Sequence, residues 1–289
     1  MEAELSTRSE SGLARWWFEP VALGRVAALR TILYLFIPVD VFLTTAWVAR
    51  HSDLPGELYH PLFVGRVLPL PTPGSVLVEV VKWALVICAV IAALNLWPRL
   101  LGVAVFALYF EWMVIAMSYG KVDHDRFAFL VALAVLPTVG RARWGDRTKD
   151  ESAGWAVRGI QVAVVLTYFL AAFAKLRFGG LEWLSGATLV RAVIRRSTFL
   201  SEPLLDRVWI LQASQYLIVA FELCSPLLLV KGKVGRAFLV GAVLFHGVTF
   251  SMIGIIFLPH VMCLLSFVPL ERLDPRALPV RLRARAATT

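Results

Sequence analysis

The chain has 289 residues, of which 59% are hydrophobic and 17% charged, and its mean hydropathy is +0.74. This composition is too apolar for a soluble globular domain and excludes the water-soluble enzyme classes. The net charge of +9 comes from Lys and Arg residues scattered between apolar segments rather than gathered on one polar face. Membrane lipids are therefore the expected partners, and nucleic acid is not.

The apolar residues form segments close to the length of about 20 residues that crosses a hydrocarbon layer. They predict an all-α, polytopic transmembrane helical bundle with about eight spans. The polar N-terminus lacks the basic-then-apolar order of a cleavable signal peptide, so the first membrane helix is expected to direct insertion. The predicted regions are a cytoplasmic N-terminal segment (1–19), a transmembrane domain (20–270) and a basic cytoplasmic tail (271–289). The predicted spans are 25–48, 75–96, 99–118, 126–139, 156–175, 208–230, 234–250 and 252–269.

Lys and Arg in the connections indicate the orientation, because cytoplasmic loops retain basic residues. The bias favours a multi-pass protein of the cell membrane with both termini in the cytoplasm. Within the long outer connection, residues 184–199 set apolar side chains against Arg191, Arg195 and Arg196 at helical spacing. This pattern predicts an interfacial amphipathic helix that contacts lipid headgroups, in preference to one that captures an anionic substrate.

Several ionisable side chains fall within the predicted spans, where each costs about 2.5–3.5 kcal/mol on insertion scales. Such a residue needs a partner, a watery cavity or a function. On the predicted topology, His124, Lys175, His246 and His260 all lie in or near the outer half of the membrane. Their shared depth predicts a polar site beneath the outer surface.

The fourth apolar segment, residues 127–139, is too short to cross the full hydrocarbon layer. If Arg141 and Arg143 fix its inner end, then Asp123, His124 and Asp125 must sink below the outer surface, against other helices or a water-filled cavity. A tilted helix with a solvated acidic loop explains the spacing equally well.

Lys175 ends the fifth span, where a lysine ordinarily extends to the interface. The alternative is a desolvated lysine that can be neutral and accept a proton. His246 and His260 lack the helical His-x-x-x-His pairing of a metal site, so no metal is predicted.

Three further charged residues are expected to have a structural role. Arg30 is predicted to form a buried ion pair with Asp40 or with Glu222. Such a pair compensates charges that the bilayer would otherwise penalise.

Three sequence blocks resemble a known membrane family. They are residues 96–127, residues 168–186, which include the run from Tyr168 to Lys175 and Trp183, and residues 245–262. In this order they resemble the membrane core of vitamin K-dependent gamma-glutamyl carboxylase. Bacterial proteins with this core are called HTTM (horizontally transferred transmembrane) domain proteins. The resemblance spans most of residues 20–270.

The resemblance implies a catalytic set of Lys175, His124 and His246. Lys175 matches the base that deprotonates a reduced quinone, which then reacts with molecular oxygen to give an alkoxide that removes a carbon-bound proton. The two histidines match hydrogen-bond partners of the quinone or of an oxyanion. The residues expected to line the substrate or quinone pocket are Asp123, Asp125, Trp183, Glu222 and His260.

The chain also departs from the carboxylase pattern. Ala174 stands where the carboxylase has a second lysine, and Gln215 stands where a histidine is expected. The large lumenal domain that binds the carboxylase substrate does not follow the membrane core. Glutamate carboxylation is therefore not expected.

The sequence predicts an enzyme that uses a reduced quinone and oxygen for base chemistry on a small, lipid-like or peptide substrate. Two alternatives belong to other classes. One is a non-catalytic accessory factor for the maturation or export of a secreted antimicrobial peptide. The other is a structural protein that binds lipid.

Overall fold

The computed structural model describes residues 11–68 and 70–273. The start of the predicted N-terminal segment and nearly all of the predicted basic tail, 271–289, lie outside the described residues. The described chain is mostly helical, with one antiparallel pair of short strands, β1 (Val21–Ala22) and β2 (Lys149–Asp150). The α-helices are α1 (Gly12–Trp17), α2 (Leu23–Val39), α3 (Phe63–Val67), α4 (Ser75–Ala93), α5 (Pro98–Met117), α6 (Phe127–Val135), α7 (Glu151–Gly179), α8 (Glu182–Ser185), α9 (Thr188–Arg196), α10 (Val208–Leu223), α11 (Lys233–Ile253) and α12 (Leu258–Leu264).

Five helical segments in the described residues are long and apolar enough to cross a membrane: α2 with the π-helical turn that follows it, α4, α5, α7 and α11. The helical, membrane-type architecture predicted from the sequence is confirmed. The other three predicted spans coincide with shorter helices. These are α6, α10 and α12, each continued by a 3-10 turn. The count of about eight crossings stays a prediction.

The membrane-length helices differ in how deeply they are buried. In α2 and its π-helical extension, 61% of the apolar window is buried inside the protein, against 6% in α11. Because both windows are apolar, this difference makes α2 the centre of the packed core. The exposed apolar surface of α11 faces outward, as expected of a helix in contact with lipid.

The connection between α4 and α5 is tight and is fixed onto α2. Asn95 and Trp97 both have positive φ, which a short polar residue such as Asn accommodates better than most. The Asn95 side-chain amide donates to the hydroxyl of Thr31 at 3.2 Å. Pro98 begins α5, where the absence of a backbone N–H costs no helical hydrogen bond.

One end of the bundle is joined by backbone pairing and by charge. The β1–β2 pair brings the start of α2 beside the start of α7. Glu19 accepts hydrogen bonds from Lys231 at 2.7 Å and from Arg158 at 2.8 Å, and both contacts lower the pKa of its carboxyl group. These contacts join the segment before α2 to α7 and to the connection between α10 and α11.

A buried polar network lies where α2 changes from an α-helix to a π-helical turn, Asp40–Thr44. Pro38 lacks a backbone N–H, and such a residue inside a helix favours this widening. Asp40 is fully buried and forms an ion pair with Arg126. Tyr109 of α5 donates its hydroxyl to Asp40 at 2.9 Å and accepts from Arg126 at 3.2 Å. The network therefore holds the turn before α6 against α2 and α5.

The predicted pairing of Arg30 with Asp40 or Glu222 is wrong. Arg30 is fully buried, but its guanidinium donates to the backbone carbonyl oxygens of Leu136, Val139 and Gly140. These carbonyl groups lie at and just beyond the C-terminal end of α6, which is the negative end of the helix dipole. Arg30 therefore caps a helix end.

Replacement of Arg126 by Met is expected to destabilise the protein by about 3–5 kcal/mol, because Asp40 would remain buried without its counter-charge. The measurement is the loss of folded protein on heating or on denaturant addition in detergent. The matched control is Arg66→Met, which removes an exposed arginine that forms no salt bridge with the described residues. Equal stability of the two variants would contradict the structural role of the network.

Candidate functional site

A cavity of about 270 Å³ lies between α7, α10, α11 and α12. The turn before α6 and the segment around Trp183 close its sides. Most of its wall is aromatic or aliphatic, with a few polar groups, as in small-molecule sites. The polar and charged side chains in its lining are His124, Asp125, Thr167, Tyr168, Lys175, Glu222, His246, Thr249 and His260.

Lys175 and Glu222 form an ion pair within this cavity. The Lys175 Nζ atom lies 2.6 and 2.7 Å from the two carboxylate oxygens of Glu222. The lysine side chain is 21% exposed and the glutamate side chain 7% exposed. The Nζ atom also lies 5.4 Å from the centre of the Trp183 ring, within range of a cation–π contact. The lysine therefore lies in the cavity, against two other elements, rather than extended along the helix surface.

Aromatic and imidazole rings stack on the other side of the cavity. The Tyr168 hydroxyl lies 2.7 Å from Nε2 of His246, and the Tyr168 ring packs edge-on against His260 at 4.5 Å between centroids. His246 Nδ1 and both ring nitrogens of His260 are buried and have no hydrogen-bond partner among the described residues. Buried polar atoms without partners are uncommon, and these three belong to side chains of the cavity wall.

The turn before α6 contributes the rim of the cavity. His124 is exposed at this rim, with its ring 6.3 Å from that of Phe257. Asp125 is buried and lies 3.7 Å from the Arg126 guanidinium. Asp123 is outside the lining and pairs with Lys121 at 2.9 Å. The turn is therefore buried at Asp125 and Arg126 but exposed at His124, and its depth below the outer surface stays a prediction.

The structure brings together all of the sequence-derived site residues except Asp123. Their roles in catalysis or binding stay predictions. Sequence reasoning did not single out Tyr168 as a site residue, although it precedes Lys175 by seven residues and so lies on the same face of α7. Within the described ranges, no group of three or more His, Cys, Asp or Glu side chains is arranged to hold a metal ion.

Gln215 fixes the segment that places Trp183 beside the lysine. Its side chain is fully buried and accepts a hydrogen bond from the Leu189 N–H at 2.8 Å. Its amide group donates to the carbonyl oxygens of Trp183, Leu184 and Gly186 at 2.7–3.1 Å. One amide side chain therefore satisfies backbone groups along a whole turn of the chain.

Comparison of the chain with protein-family models, with curated proteins and with solved structures finds no match in any of the three.

Replacement of Gln215 by Leu is expected to destabilise the protein by about 1–3 kcal/mol, because four partly buried backbone hydrogen bonds are lost. It should also speed amide hydrogen exchange across residues 183–189. Gln212→Leu is the matched control, since Gln212 is only half-buried and makes a single side-chain hydrogen bond, to the Ser185 carbonyl oxygen. Unchanged exchange at residues 183–189 in the Gln215 variant would show that the segment is held by other contacts.

Proposed function

We propose that the chain is a multi-pass enzyme of the cell membrane, with both termini in the cytoplasm and α9 along the outer interface. In this proposal it is an HTTM-type relative of the vitamin K-dependent carboxylase, and Lys175 is the base that takes a proton from a reduced quinone. The observation that carries the proposal is the Lys175–Glu222 pair beside three unpartnered histidine nitrogens in one cavity.

The lining fits the ring of a reduced quinone. Tyr168, Phe245, Phe257 and Trp183 provide aromatic walls for a flat ring. The unpartnered nitrogens of His246 and His260 can make hydrogen bonds to ring oxygens. A cavity of about 270 Å³ is near the lower end of small-molecule sites, which suits a ring rather than a large substrate.

The Lys175–Glu222 pair can hold its shared proton on either side. In water the ammonium–carboxylate form dominates, but exclusion of water removes the solvation that favours two charges. A proton that moves from Lys175 Nζ to a Glu222 oxygen leaves a neutral amine beside a neutral acid. That amine can then accept a proton from a ligand hydroxyl in the cavity.

Tyr168 determines which tautomer His246 presents. When the Tyr168 hydroxyl donates to Nε2, the neutral imidazole carries its proton on Nδ1. This N–H is a donor for a negatively charged ligand oxygen, as in an oxyanion hole. His124, at the rim, is placed to exchange protons between the cavity and the outer side.

The chemistry that a reduced quinone supplies when bound is its oxidation by molecular oxygen. A small, lipid-like or peptide substrate would reach the cavity from the bilayer or from the outer face. Gln215 and Ala174 replace basic residues of the carboxylase pattern, so the substrate is not proposed to be a protein glutamate. The pocket role expected for Asp123 is not included, since this residue lies outside the lining.

Lys175→Arg is the most informative variant, because arginine can keep the ion pair with Glu222 but cannot become neutral. Oxygen uptake by the purified protein in lipid nanodiscs, driven by an added naphthoquinol, is expected to fall by at least about a hundredfold. Lys175→Met should give the same loss. Thermal unfolding should show that the arginine variant remains folded.

The matched control is Lys82→Met. Lys82 belongs to a similar lysine–glutamate pair on α4, with Glu79, away from the cavity. This variant should keep the rate of the unmodified protein. Quinol-dependent oxygen uptake that is absent from the unmodified protein, or undiminished in Lys175→Arg, would refute the enzyme proposal. Co-purification of a secreted peptide precursor together with such inactivity would favour the accessory function instead.

A further inference from the structure

A second and larger cavity, of about 570 Å³, is a groove between α10 and α11, covered at one end by α9 and the 3-10 turn Glu202–Arg207. Leu211 and Leu217 of α10 face Leu244 and Val248 of α11 across it. Its wall is almost entirely apolar. The two helices are not closely packed against each other along this stretch, so the groove separates them.

The groove is elongated and reaches the candidate active site. Its wall on α10 extends from Ile210 to Phe221, which corresponds to about 16 Å along a helix axis. Leu189, Ile218 and Phe245 line both the groove and the cavity that contains Lys175. The shape suits a linear hydrocarbon ligand, and one side of that ligand would border the polar cavity.

Beyond its covered end, the groove is open on the outer surface of the bundle. Leu217 is 69% exposed and Leu244 is 62% exposed, although both are apolar and belong to helices at the edge of the bundle. Lipid chains are the solvent for such side chains. A lipid acyl chain can therefore enter the groove sideways from the bilayer, without passing through the protein.

Positive charge lies at the covered end of the groove. Val193 of α9 is buried in the groove wall, and Arg196 follows it on the same side of the helix, one turn on. Arg191 and Arg195 are exposed on the opposite side of α9. None of these arginines forms a salt bridge with any of the described residues. They are thus available to an anionic headgroup above an inserted chain.

We infer that the groove binds one acyl chain of an anionic lipid, with the headgroup phosphate beside Arg196. A second copy of the protein fits the surface of the groove less well. In a symmetric pair within one membrane, the arginine-bearing ends of both copies would lie on the same side and repel each other. The binding itself does not depend on the enzyme proposal. The further step, that this lipid class is presented to Lys175 as substrate, rests on the proposed function.

The test uses the full chain in nanodiscs that contain phosphatidylcholine and a minor fraction of phosphatidylglycerol with a photoactivatable group in its acyl chain. Illumination and peptide mapping should place the label on α10 and α11, at the groove residues. Arg196→Gln is expected to reduce labelling by about fivefold, since a basic residue near an anionic headgroup contributes several-fold in affinity. The charge-matched control is Arg66→Gln, an exposed arginine elsewhere, and it should label normally.

A second pair of variants tests the groove itself. Ser214→Phe fills the groove and should abolish the label, whereas Ala107→Phe adds the same ring at an exposed position of α5 and should not. Lys175→Arg should label fully, which separates failure of lipid binding from failure of the enzyme proposal. Equal labelling by a phosphatidylcholine probe, a label outside the groove, or protein–protein crosslinks at α11 in place of lipid would overturn the inference.

Discussion

A charged side chain inside an apolar helical bundle must have a partner. Two ion pairs meet this requirement, one in the buried polar network at the end of α2 and one in the candidate site. Asp40 with Arg126 joins α2 and α5 to the turn before α6, and Lys175 with Glu222 joins α7 to α10. Loss of either partner would leave a charge that neither lipid nor the apolar wall can solvate. The packing of the bundle around the site therefore depends on both pairs.

The two pairs differ in their surroundings, because only one of them adjoins a cavity. Both carboxylate oxygens of Asp40 have partners within the protein, one in the Tyr109 hydroxyl and the other in the Arg126 guanidinium. The Lys175–Glu222 pair instead opens onto a cavity that also contains unpartnered nitrogens of His246 and His260. A carboxylate whose oxygens are satisfied by the protein is held in one arrangement. An ion pair beside a cavity can instead exchange protons with a molecule bound in that cavity.

The sequence was sufficient for features that depend on length and depth. Long apolar runs predict α4, α5 and α7 because crossing a hydrocarbon layer needs about 20 apolar residues. The convergence of histidines and Lys175 at one predicted depth indicated a common site, and the structure places them around one cavity. Depth, however, does not specify which residues face each other around the bundle.

Pairing across the bundle could not be derived, and the prediction for Arg30 shows why. Charge complementarity alone favoured a carboxylate partner, but carbonyl groups at a helix end satisfy a guanidinium equally well. Only the rotation of α2 against α6 decides between them. Tyr168 was missed for a different reason. A tyrosine is common in an apolar span, and only its position on the same helix face as Lys175 indicates that it belongs to the site.

Gln215 shows how one buried polar side chain can shape the surroundings of a site. The resemblance led to an expected histidine at this position, which would offer a titratable group near Lys175. The glutamine here cannot titrate, and all of its hydrogen-bonding groups are used by the backbone of residues 183–189. It holds Trp183 over the lysine and Leu189 at the junction with the groove. The side chain at this position therefore shapes the boundary between the polar cavity and its apolar neighbour. In the proposed enzyme, substrate selection would depend on this boundary, and proton transfer on Lys175, Glu222 and the histidines.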